Sequence, residues 1–224
     1  MARMTGTTMP VFNQAASRSD GHLSFGTTNN QPGLAFGPGV PDKFVAEARA
    51  ELSSVGNRIT SFVSGGGPLA ALEQAWPDAA YWFHEALAEP LDTIAVPKLE
   101  TAIEVLIRSE NTKGSKARIE KVIRAFYGKA PSDLINPQSQ TTVADFAKGF
   151  VRDRSRILHG TWSTLTHPLH GSRPELTDLT RALLILYTVT LDDYATSATP
   201  TDSIDELVAF ANSKRMAAAI YPIT

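Results

Sequence analysis

The 224-residue chain contains no cysteine. A disulfide framework, a thiol nucleophile, Cys-ligated zinc and an iron–sulfur cluster are therefore excluded, and a reducing compartment such as the cytoplasm fits. Nor does one sign of charge dominate: 21 Lys and Arg stand against 23 Asp and Glu, for a formal charge of −2. That balance rules out a uniformly basic nucleic-acid coat and a polyacidic tail, so any nucleic-acid surface must be local. Long apolar runs are missing as well. None is longer than Ala182 to Tyr187, far short of the roughly 20 residues a bilayer demands. Met1 to Phe12 lack a basic region followed by a continuous apolar stretch, so no secretory leader is expected. A soluble, cytoplasmic chain is the expectation, and its 42% hydrophobic residues are enough for a sizeable core.

Residues 1–40 are rich in Gly, Ser, Thr, Asn and Pro, with isolated apolar residues around the turn-like stretch from Thr27 to Gly33. They read as a flexible arm or a small hairpin. From Pro41 onward Phe44, Val45, Ala48, Leu52, Val55, Ile59 and Phe62 recur every three or four residues until Gly65-Gly66-Gly67, the pattern of an amphipathic helix with a glycine stop. Further helices are expected from Pro68 to Glu89, with a bend or restart at Pro77, from Val96 to Ser109, and from the cap Ser115 to Gly128. Thr142 with Asp145 three residues on resembles a capping box opening a fifth helix that Gly160 closes. Segments from Pro174 to Tyr194 and from Ser203, with Glu206 at capping-box spacing, to Ala219 complete the set. No alternating strand pattern, internal repeat or heptad run interrupts the series. The expected fold is an all-α bundle of six to seven helices over residues 41–224.

Charge is distributed unevenly. Residues 108–156 hold 11 Lys and Arg against 5 Asp and Glu, and the rest of the chain holds 10 against 18. Inside this basic span lies the most informative stretch, Phe150-Val151-Arg152-Asp153-Arg154-Ser155-Arg156-Ile157-Leu158-His159-Gly160. At about 100° per residue, Val143, Ala147, Phe150, Val151, Ile157 and Leu158 all fall within roughly 60° of Arg154, which places Arg154 in the middle of an apolar stripe. A guanidinium stays charged and is costly to bury alone, so the position calls for a carboxylate partner, a subunit seam or an anionic ligand. Arg152 and Arg156 project to the opposite face. His159 lies about 140° around the helix from Arg154, while Ser155 and His159 share a flank at i,i+4. Arg154 and His159 converge only if the helix end is tilted or loosened. Imidazole moves protons near neutrality and a guanidinium suits phosphate, a pairing that fits RNA cleavage without a metal.

Arg154-Ser155-Arg156-Ile157-Leu158-His159-Gly160 resembles the Arg, polar residue, then His signature of the HEPN ribonuclease superfamily, in the Arg-Ser-x-x-x-His-Gly form of its Apea-like branch. The resemblance extends upstream. Tyr81-Trp82-Phe83-His84-Glu85-Ala86-Leu87 is similar to that branch's aromatic helix, Leu99 to Leu106 to its Leu/Ala/Glu helix, and Lys116 to Tyr127 to the helix after it. The likeness covers residues 70–195 and leaves the first 65 without a counterpart.

The resemblance implies a homodimeric helical domain in which two copies of the motif face each other across a cleft and cut RNA with neither metal nor cofactor. In that reading Arg154 holds the scissile phosphate, His159 moves the proton of the attacking 2′-hydroxyl or of the leaving oxygen, and Ser155 orients them. The products would carry 2′,3′-cyclic phosphate and 5′-hydroxyl ends. The resemblance also implies a toxin or antiviral-defence role with an antitoxin or defence-system partner, and it places a Glu at position 104, read as a structural partner of the buried arginine in preference to a catalytic acid. The competing reading is a non-catalytic helical module of the same fold that binds RNA, a nucleotide or a partner chain. A third is an interaction domain from a larger protein, with residues 1–40 as its linker.

Weaker signals surround this core. Lys113, Lys116, Arg118, Lys121, Arg124 and Lys129 are candidates to track an RNA backbone, although helical spacing spreads them over several faces. Trp162 is a candidate to stack a base, or else a core residue. His84 and Glu85 read as helix surface or core edge. His167-Pro168-Leu169-His170 lacks the i,i+4 spacing of a helical metal site. Gly65-Gly66-Gly67 lacks the Gly-Lys-Ser/Thr of a phosphate loop.

Overall fold

The periodic segments become helices in the computed structural model, which describes residues 14–19, 22–27, 39–108, 112–135, 140–163 and 172–214. In chain order they are α1 (Val40–Glu47), α2 (Arg49–Ser64), α3 (Ala70–Ala88), α4 (Asp92–Leu106), α5 (Thr112–Tyr127), α6 (Val143–Leu158), α7 (Ser172–Ala195) and α8 (Ile204–Lys214). The fold is an all-α bundle. The chain divides into two compact units, Met1–Glu47 and Ala48–Thr224.

In the first unit β1 (Gln14–Ser19) and β2 (His22–Thr27) pair antiparallel, with Gln14 opposite Thr27 and Ser19 opposite His22. Asp20-Gly21 separates them in the sequence, the type of dipeptide that two-residue hairpin connections favour. The turn-like stretch beginning at Thr27 is thus not the hairpin's own connection: Thr27 ends β2, and residues 28–33 lie outside the described residues. The single helix expected after Pro41 is two. Ala48, with φ −103° and ψ 21°, leaves the helical region between them.

In the second unit α4 occupies the centre, packed against α3, α6 and α7. It is buried around most of its circumference, through Val96, Leu99, Ala102, Ile103 and Leu106 among others. Burying each large aliphatic side chain in such a core contributes about 1.5–3 kcal/mol. Aromatic residues with a polar end satisfy it on backbone carbonyls: Tyr187 donates to Leu72 at 2.9 Å, and the Trp76 indole donates to Leu184 at 3.0 Å. Burial pushes the Tyr187 hydroxyl well above its usual titration range.

Beyond the start of α5, at Thr112 rather than at the expected cap Ser115, three local outcomes differ from the sequence pattern. Helix α3 runs through Pro77 without a restart, because packing of Ala75 and Ala79 in the core holds the helix across the lost backbone bond. Helix α4 begins at Asp92, before Val96, and Pro97 sits inside it. The third concerns α2. Its apolar stripe faces outward, with Leu52, Ile59, Phe62 and Val63 all exposed, while Ser54 and Arg58 are buried. Arg58 pairs with Asp192 at 2.5 Å and with Glu73 at 3.8 Å. Asn57 also donates to Asp192, Ser61 donates to Glu73, and the Thr188 hydroxyl donates to the Ser54 carbonyl. Helix α2 thus docks through a polar face.

Candidate functional site

The sequence positions α6 by its ends. Thr142 caps the start, its hydroxyl oxygen accepting from the Asp145 backbone N–H at 3.1 Å while donating to the Asp145 carboxylate at 2.8 Å. At the other end Gly160 takes φ +68°. Its N–H reaches the Ile157 carbonyl at 3.0 Å and the Thr161 N–H reaches the Arg156 carbonyl at 2.9 Å, the two bonds of a Schellman closure. The helix stays regular up to that point, since the His159 N–H donates to the Ser155 carbonyl at 2.9 Å. The loosened end that would let Arg154 and His159 converge is therefore not formed within one chain.

Along α6, Val143, Ala147, Phe150 and Ile157 are buried, and Arg154 emerges among them toward α4. There it forms an ion pair with Glu104, the guanidinium side chain 27% exposed and the carboxylate side chain 11%. Arg154 is thus held by a carboxylate and still reachable from solvent at one edge. Its Nε makes no hydrogen bond among the described residues. Ser155 is half-buried and His159 exposed. Among the described residues no hydrogen bond or ion pair links the side chains of Arg154, Ser155 and His159.

One turn before Glu104 lies Glu100, which the motif reading passes over. It is 1% exposed, and its Oε2 has no hydrogen-bond partner among the described residues. Burial, reinforced by Asp153 and Glu104 and opposed by Arg154, holds its carboxyl well above the usual range of a glutamate. A signal for it was present in the sequence. At 100° per residue Glu100 falls about 40° from Val96 and about 60° from Ile103, inside the apolar arc of its helix. Two carboxylates at i,i+4 on the most buried helix thus face the arginine-bearing face of α6.

The remaining candidates are spread out. Arg152 and Arg156, on the face of α6 opposite Arg154, lie over the Trp162 ring at 5.9 and 5.0 Å from its centroid, so Trp162 is held against the helix that precedes it. Lys116 pairs with Glu120 at 3.6 Å, and Lys121 pairs with Asp205 of α8 at 2.8 Å. That bond holds the Asp205 carboxyl below its usual range. Arg118 donates to the carbonyls of Ile107 and Arg108 and closes the end of α4. Lys129 likewise donates to the carbonyls of Leu134 and Ile135. Arg124 is exposed. The stripe is thus partly consumed by internal contacts. The Lys113 and Ser115 side chains and residues 167–170 lie outside the described residues. Glu85 is half-buried beside Lys98, 3.7 Å from its ammonium, and His84 is exposed.

No group of three His, Asp or Glu residues suited to a metal gathers among the described residues. Comparison with protein-family models, curated proteins and solved structures returns no match for this chain.

Proposed function

We propose that the chain is a metal-independent endoribonuclease of the HEPN type, acting as a homodimer. The observation that carries this reading is the setting of Arg154. It is an arginine in an apolar helix face, oriented by Glu104 but open at one edge, on the same helix that presents the exposed His159 at its closed end. The 2′-hydroxyl would lose its proton and attack phosphorus, and the 5′-oxygen would leave and take up a proton. Those are tasks for an imidazole, while the guanidinium balances the charge that develops on the phosphate. Because Arg154 and His159 face different ways in one chain, the site is composite, completed by the motif of a second copy. A toxin or antiviral-defence role follows from the HEPN resemblance and belongs to the same proposal.

The second reading, a non-catalytic module, draws on a specific observation. Glu104 neutralises Arg154 and Asp153 lies next to it in the chain, which lowers the pull of that locus on phosphate. Mixed RNA incubated in EDTA with wild type, His159→Ala and Arg154→Ala separates the two. Cyclic-phosphate ends from the wild type alone are expected. Binding without cleavage by all three proteins would favour the module, and cleavage that survives His159→Ala would overturn the mechanism.

A further inference from the structure

A cleft of about 320 Å³ opens between α4, α6 and α7, and its chemistry is not that of a phosphate site. Among the described residues of its lining the carboxyl groups of Glu100, Asp145 and Asp153 stand against one cation, Arg152, while Glu175, also in the lining, has a partner of its own. Arg152 is already engaged, its Nε donating to Asp153 at 2.7 Å. The apolar part of the wall includes Val96, Phe146 and Phe150, and the two rings lie 6.2 Å apart, inclined at 52°. Glu100 belongs to the same lining, almost wholly buried and with the unpartnered Oε2 described above.

A buried carboxylate oxygen without a donor is costly, so this atom is where a ligand N–H gains most. The excess of acidic side chains over basic ones disfavours phosphates and carboxylates and favours a cation. The absence of a three-ligand cluster among the described residues points away from a metal ion and toward a cation that brings its own N–H donors. The phenylalanine rings suit an alkyl stem or a cation held over an aromatic face. A volume of this order holds a small molecule.

We infer that the cleft between α4, α6 and α7 binds a small organic cation, a guanidinium or primary amine on an alkyl stem, with Glu100 as its anchoring acceptor. The inference does not rest on ribonuclease activity.

The test is isothermal titration of the full chain with agmatine, which carries both a guanidinium and an amine. Two comparison probes accompany it: tetramethylammonium, a cation without N–H, and cytidine, a neutral N–H donor. Saturable binding of one agmatine per chain is expected, with tetramethylammonium and cytidine silent. Glu100→Gln keeps the shape of the side chain and removes its capacity to become an anion opposite a bound cation, and circular dichroism checks that it folds. It should weaken agmatine binding at least about tenfold. His159→Ala should bind as the wild type does, which keeps this result separate from the nuclease reading. Absence of saturable agmatine binding at millimolar concentration would overturn the inference. So would binding indifferent to Glu100→Gln, or cytidine binding as tightly as agmatine.

Discussion

At the scale of the residue, Arg154 and Glu100 make opposite demands on one small volume. Arg154 has a carboxylate in Glu104, so truncating the arginine takes the counter-charge of the pair from a buried anion. Arg154→Ala should cost about 1–3 kcal/mol in urea unfolding, whereas His159→Ala, at an exposed helix end, should stay within about 0.5 kcal/mol of wild type. Loss of cleavage in both variants would then report chemistry in the histidine variant and chemistry plus stability in the arginine one. Glu100 carries a pH dependence. Its carboxyl is raised in the folded chain, chiefly by burial, so the folded state keeps a proton that the unfolded state releases. Stability contributed by this group is present below the ordinary glutamate value of about 4.3 and is lost as pH rises toward the raised folded value. Glu100→Gln cannot ionise and escapes that loss. Its unfolding midpoint should therefore match wild type more closely near pH 4 and exceed it near pH 8, and parallel pH profiles would show that Glu100 is ionised in the fold.

At the scale of the element, α2 shows how an amphipathic pattern and a docking face part company. The 3.6-residue period of Leu52, Val55, Ile59 and Phe62 is real and the segment is helical, yet the body of the second unit receives Ser54, Asn57, Arg58 and Ser61. The buried guanidinium of Arg58 lies between Glu73 and Asp192. Removing it leaves two carboxylates facing each other across an uncompensated gap. Arg58→Ala should cost about 3–5 kcal/mol, and Ile59→Ala, at a site 54% exposed, less than about 0.5 kcal/mol. Equilibrium unfolding in urea measures both. The reverse order would place the apolar face inward. Helix α6 is the counter-example, where the stripe centred on Arg154 does face the core and the caps at Thr142 and Gly160 set the ends where the sequence places them.

At the scale of the whole molecule, the nuclease reading requires two chains. Sedimentation equilibrium should return twice the 24.2 kDa mass of the chain at the concentrations where cleavage is seen. A monomer that still cleaves would remove the composite site and require Arg154 and His159 to meet within one chain, against the regular helix that separates them. Mixing Arg154→Ala with His159→Ala provides a related readout, because a composite site built from two motifs allows one intact arginine and one intact histidine to meet in the mixed dimer.

By itself the sequence determined the local features: the helical segments, the caps of α6, the glycine stop after α2, and the need of Arg154 for a counter-charge. These depend on side chains three or four residues apart along one helix, and on glycine where φ turns positive. It did not mark Asp20-Gly21 as the connection between β1 and β2, although that cue too was local. Only the tertiary structure decided the rest. That α4 would be the central helix, that Glu100 would be left with an unpartnered oxygen, and that α2 would dock by its polar face depend on packing between segments far apart in the chain. Arg58 and Asp192 stand 134 residues apart, beyond the reach of any periodicity. A helical repeat states which side chains share a face, and burial is settled by what the other helices bring to meet it.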